Sequence, residues 1–286
     1  NKTYKLFING QFPRTESGRY EKVLNAKGDF LANACLGSRK DLRNAVEAAR
    51  KAQLGWGKRP AFNISQIVYR LAEMFEARKT EFVNILESQG KSASQAKAEI
   101  ENSIDLLVYY AGWADKYQQV FSSVNPVSGN FFNFSVYEPT GVVVSMANET
   151  ASFFELLKII IPIIIGGNTT VVVLDTNFAP SAISFAEVIA TSDFPSGVIN
   201  IITAKTEELI DHASKHMDVN AFAGVGLNKT QIELTEANAF NNVKRVKNYS
   251  VQDLNEEPNP YLILDFQEVK TTWHPIDEPI AGANSY

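Results

Sequence analysis

A single cysteine, Cys35, is all the thiol that these 286 residues provide. An intramolecular disulfide framework is therefore excluded, and the thiol usage fits a reducing compartment. Histidine is almost as scarce, with three in the chain, so few metal or imidazole constellations can be drawn. No Lys/Arg block runs through the sequence and the net charge is −5, which removes nucleic acid from the expected partners. The opening NKTYKLFING lacks the apolar core of a secretory signal. The N-x-S/T matches at Asn63, Asn133, Asn148, Asn168, Asn228 and Asn248 are then chance matches, and a cytoplasmic location is expected.

A membrane-length apolar run is missing too. The most hydrophobic stretch, KIIIPIIIGGNTTVVVL at 158–174, is broken by Gly166, Gly167 and Asn168, whereas a spanning helix needs about 20 largely apolar residues. No membrane partner is expected. The stretch reads instead as two elements. A helix over 152–165, apolar nearly all round, ends at Gly166 as a glycine C-cap, and a β-branched strand follows over 170–174. With the β run at 142–146 they form a strand, helix and strand of about 30 residues, the size of one βαβ unit.

The pattern repeats. A helix over 182–191 leads through Pro195-Ser196-Gly197 to a strand at 198–202. A helix at 207–216, a strand at 219–223, a helix at 229–237 and a strand at 243–246 complete it. Such alternation predicts a doubly wound α/β fold with a parallel sheet covered on both faces.

The first 120 residues have a different texture. An extended opening at 4–8 with a turn at Ser17-Gly18 gives way to a helical layer. Ser38 and Asp41 are spaced as a variant capping box, and Leu42, Val46 and Ala49 share one face of the helix they begin. Ile64, Ile67, Val68, Leu71 and Phe75 line the next helix, a third covers 80–88, and Ile100, Ile104, Leu107, Val108 and Ala111 line a longer one. Residues 121–139 read as two strands around Ser128-Gly129-Asn130, too short to stand alone. An extended piece at 261–276 is expected to join them in a small sheet.

EPTGVV at 138–143, GGNTTVVV at 166–173 and TSDFPSGVINIITA at 191–204 resemble the cofactor-binding domain of the aldehyde dehydrogenase superfamily. FINGQF at 7–12, LGSRKDLRNAVEAARKA at 36–52 and NVKRV at 242–246 are similar to other parts of that family. More narrowly, AGWADKY at 111–117 and VKTTWHPI at 269–276 resemble the C-terminal half of the two-module family-16 enzymes, itself an incomplete copy. The resemblance implies a cofactor-domain-like body over 1–120 and 140–255, and a β oligomerisation element over 121–139 and 256–286. The catalytic domain is expected to be absent.

The family's working parts can be carried over one at a time. Its oxyanion-stabilising Asn falls on Thr150, within 148–152. The Lys and Glu that hold the adenosine ribose fall on Val173 and Thr176. The Phe-Thr-Gly-Ser turn at a helix start falls on 224–227, where Gly226 alone survives as a cofactor-binding residue. The general base falls on Tyr249, a poor base at neutral pH with an ordinary pKa of about 10. The domain carrying the nucleophilic cysteine should follow the last strand, yet DLNEEPNPY leads directly to the closing strand. Cys35 lies outside any matching motif and reads as a small core residue.

His212 and His216, four residues apart beside Asp211 and Asp218, read as a solvated helix end rather than a metal site. Gly224-Val225-Gly226 is a weak fragment of a dinucleotide loop. Phe131, Phe132 and Phe134 read as the buried face of an oligomerising hairpin. No catalytic residue, no metal and no cofactor are expected, beyond weak residual NAD(P) binding at Gly226. The expected role is a non-catalytic scaffold or regulatory subunit, acting as a homodimer or on a full-length aldehyde dehydrogenase. The alternatives are a component of an NAD(P)-dependent aldehyde oxidoreductase completed by another chain, and a small-ligand sensor reusing the cleft near Gly226.

Overall fold

A computed structural model describes residues 2–254 and 257–276; the expectations that reach 255–256 and 277–286 lie outside the described residues. Five strands form one all-parallel sheet in the order Arg245–Tyr249, Ala221–Val225, Val142–Ala147, Thr169–Leu174, Ile199–Thr203. The four strands from Ala221–Val225 to Ile199–Thr203 are buried along their whole length. That is why they read as near-continuous apolar runs rather than as alternating ones. The edge of Ile199–Thr203 is closed by the opening segment, where Phe7 and Ile201 exchange backbone hydrogen bonds of 2.9 and 2.7 Å.

Alternate strand residues supply two cores. Val143, Ala147, Val172 and Leu174 face the helices Phe153–Ile165 and Ala179–Ala190 and the N-terminal helical layer. Val142, Val144, Met146, Val171 and Val173 face the helices Arg39–Gly57 and Thr206–Lys215. Phe153–Ile165 lies between the sheet and the helix Ala93–Ala111. Burial on both sides explains its all-round hydrophobicity. No helix among the described residues is long and apolar enough to cross a membrane.

The capping box at Ser38 and Asp41 is present, and Ala61–Ala77 and Lys79–Ser88 fall where the periodicity places them. Several expectations shift. Gly166 closes the long apolar helix with φ −71°, and the left-handed residue is Gly167 at φ +81°. Its turn packs against Gly57 and Pro139. Val108 is exposed, because Leu106, Leu107 and Tyr110 take the buried face of its helix. The strand expected at 219–223 runs at Ala221–Val225, since the Asn220 N–H pairs with Val142 O and Asn220 Oδ1 accepts the Val142 N–H. The final strand begins at Arg245, after a left-handed Val243.

The small sheet forms from Ser123–Asn125, Phe131–Pro139 and Gln267–Pro275, all antiparallel with Phe131–Pro139 in the middle. Residues Tyr261–Leu264, expected to be extended, make a helical turn instead. That turn buries Ile263 against the Phe153–Ile165 helix.

Candidate functional site

In an open parallel sheet, ligands bind beyond the carboxyl ends of the strands. Here that edge is built from the loop 148–152, Asp175 and Thr176, Lys205, and the turn 226–228. Asn148 ties two of these loops together. Its N–H donates to Val225 O at 3.1 Å, its Nδ2 donates to Gly226 O, and its Oδ1 accepts from the Thr150 N–H at 3.0 Å and hydroxyl at 2.6 Å. Gly226 sits at φ +63°, with its N–H on Tyr249 O at 2.9 Å. A Cβ there would lie 2.8 Å from Asn148 Oδ1 and 3.0 Å from Thr150 Oγ1. A side chain there would meet both groups in a backbone conformation that favours glycine.

The residues carried over from the resemblance are therefore spatially dispersed, and those near one another bond to each other. Thr150 and Gly226 meet through Asn148. Val173 is fully buried on the far face of the sheet, among the helices Arg39–Gly57 and Thr206–Lys215. The Thr176 hydroxyl donates to Glu21 at 2.7 Å, and Glu21 also pairs with Lys205 at 3.7 Å. Asn228 caps the helix Lys229–Phe240, exchanging hydrogen bonds of 3.0 Å with Gln231. This capping box occupies N–H groups that an anion would need.

At the general-base position, Tyr249 is a structural group. Its hydroxyl donates to Asp265 Oδ2 at 2.8 Å, and Lys247 pairs with Asp265 Oδ1 at 2.7 Å. Burial, followed by the adjacent Asp265 charge, holds the Tyr249 hydroxyl well above the usual phenol range. Arg245 reaches the Asp265 carbonyl at 3.3 Å, the Gln267 carbonyl and the Glu268 carboxylate at 3.1 Å. Arg245, Lys247 and Tyr249 alternate along one strand and so share a face. Together they clasp the segment that returns to the small sheet.

Replacing Asp265 with alanine leaves the part-buried Tyr249 hydroxyl without its acceptor, and should cost about 1 kcal/mol. Asp265→Asn keeps an acceptor and loses only a partly exposed ion pair, a cost of less than about 1 kcal/mol. Urea unfolding of both variants, read as midpoint shifts at constant slope, distinguishes the two contributions.

Cys35 is buried among apolar side chains, and the Thr203 hydroxyl donates to its backbone carbonyl at 2.7 Å. Asp211 is engaged by Lys215 at 2.7 Å and by Asn238 at 3.1 Å. His216 Nδ1 accepts the Asp218 N–H at 3.2 Å, and burial lowers the affinity of that ring for a proton. A cavity of about 440 Å³ opens beside the loop 148–152, lined in part by Lys91, Thr150 and Phe153. Lys91 pairs with Glu99 and Thr150 with Asn148, so these two lining groups are already engaged by residues outside the cavity.

Two features escaped the sequence reading. Asn148 has no local pattern that marks it as a bracket between loops. Ser152 and Glu155 do form an S-x-x-E capping box, at the start of the long apolar helix, and that signal was available.

A profile described as the aldehyde dehydrogenase family matches residues 12–248. An enzyme named aldehyde dehydrogenase, cytosolic 1, from Macroscelides proboscideus is 34% identical over 249 residues, which cover 85% of this chain and 49% of that protein. A D-glyceraldehyde dehydrogenase (NADP(+)) from Thermoplasma acidophilum is 28% identical over 244 residues, covering 85% and 49%. An NAD-dependent aldehyde dehydrogenase from Sinorhizobium meliloti, solved by crystallography, superposes with a TM-score of 0.81 at 25% identity, covering 86% of this chain and 50% of that one. The chain spans about half the length of the curated relatives it matches.

Proposed function

The chain belongs to the aldehyde dehydrogenase family, and from that membership we propose that it is a non-catalytic module that works by assembly. One observation carries the reading. The last strand of the parallel sheet, Arg245–Tyr249, is followed after residues 250–266 by the outer strand Gln267–Pro275, and the clasp on Asp265 holds that short return in place. The connection leaves no room for a nucleophile-bearing domain at the point where the resemblance expects one.

The groups at the carboxyl edge support the same reading. A dinucleotide needs ribose hydroxyl partners and free N–H groups for its pyrophosphate. Val173 offers no hydrogen bond, Thr176 is held by Glu21, and Asn148 and Thr150 fill the corner at Gly226. The residues present do not fit NAD(P), so at most weak binding is proposed. The assembly surface is the small sheet, in a homodimer or against a full-length aldehyde dehydrogenase, and the setting is cytoplasmic.

The purified protein should give no NAD(P)H signal with a panel of aliphatic and aromatic aldehydes, and flat or millimolar titration calorimetry with NAD, NADP and NADH. Turnover by the chain alone would overturn the proposal. Tight cofactor binding without turnover would favour the second reading, a subunit whose site another chain completes.

A further inference from the structure

The strand Gln267–Pro275 is an edge strand with nine residues and β-branched or aromatic side chains at Val269, Thr271, Thr272 and Trp273. Edges of this length are normally shortened, covered or broken. Val269 and Trp273 are nonetheless 59% and 57% exposed. The inner ladder fixes which backbone groups are free. Thr140 N–H donates to Phe266 O and Ile276 N–H to Asn130 O, and these pairs belong to the same register as Glu268↔Glu138 and Lys270↔Val136. Even-numbered residues therefore bond to the neighbouring strand, and Gln267, Val269, Thr271, Trp273 and Pro275 point their backbone groups outward.

Resting on the assembly reading above, we propose that this edge pairs antiparallel with the same edge of a second copy, with Thr271 on the two-fold axis. That register places Thr271 opposite Thr271 and Val269 opposite Trp273 as hydrogen-bonded pairs, each made from outward-facing groups. It sets Glu268 opposite His274 and Lys270 opposite Thr272 as the closer, non-hydrogen-bonded pairs. The end of the ladder is consistent too. Pro275 lacks an N–H and meets Gln267, whose carbonyl already accepts from Arg245.

Neighbouring registers are worse. Moving the axis to Lys270 stacks Lys270 on Lys270. Moving it to Thr272 places Lys270 opposite His274, and Pro275 opposite a Val269 carbonyl that has no other donor among the described residues. The charges and the proline that usually protect an edge thus select one partner strand, and the strand itself satisfies it.

Equilibrium sedimentation of the full chain should show a dimer. Thr271→Pro removes an outward N–H and leaves the inner ladder intact, so it should give folded monomer, with folding checked by circular dichroism. The double variant Glu268→Cys with His274→Cys should form an intermolecular disulfide dimer under mild oxidation, because facing non-hydrogen-bonded residues lie about 4.5 Å apart at Cα. A dimer that survives Thr271→Pro, or that fails to cross-link through the paired cysteines, overturns the strand pairing while assembly stands. A wild-type monomer at all concentrations overturns the pairing and the homodimer alike.

Discussion

Gly226→Val is expected to destabilise the protein by about 2–4 kcal/mol, an unusually large effect for a single position in a loop. Two costs combine there. A β-branched residue at φ +63° sits in a region that only glycine adopts freely. Its Cβ would also lie 2.8 Å from Asn148 Oδ1, forcing apart the bracket that joins the loops after Val142–Ala147 and Ala221–Val225. The backbone term alone should appear in Gly226→Ala as a smaller loss. Chemical denaturation measures both. Equal, small losses for the two variants would mean that the loops are not tied as described.

Phe153→Ala should cost about 3–5 kcal/mol. Phe153 follows the Ser152 cap and enters a cluster of four buried rings. Its centroid lies 5.9 Å from Phe75, 6.0 Å from Phe82 and 5.5 Å from Phe185, and Phe75 stands edge-on to Phe82 at 4.7 Å. These contacts join the N-terminal helices to the layer over the parallel sheet, so truncation leaves a cavity where four helices meet. Phe153→Leu refills part of that space and should retain much of the stability. A thermal or urea scan that ranks the two variants in the opposite order would contradict this account of the cluster.

Much of the parallel sheet was legible because Val142–Ala147, Thr169–Leu174 and Ile199–Thr203 are buried along their whole length and rich in Val and Ile, while Gly and Pro mark the turns between them. Ser38 with Asp41 announced a helix start through local chemistry alone. What could not be read depended on contacts between residues far apart in the chain. Asn148 and Gly226 are 78 positions apart, and nothing in NET or GVG reveals that one brackets the other. The helical turn at Tyr261–Leu264 was misread as extended because four apolar residues suit either conformation, and burial of Ile263 against another helix decides between them. The resemblance assigned Tyr249 to a lost catalytic position, but only the fold reveals Asp265 as its acceptor and the return segment as what it secures.

The clasp made by Arg245, Lys247 and Tyr249 fastens the three-stranded sheet to the body at its root. Its root is held by side chains of the parallel sheet as well as by the connecting chain. A partner that grips its outermost strand is thereby joined, through Asp265 and Glu268, to the edge strand of the parallel sheet.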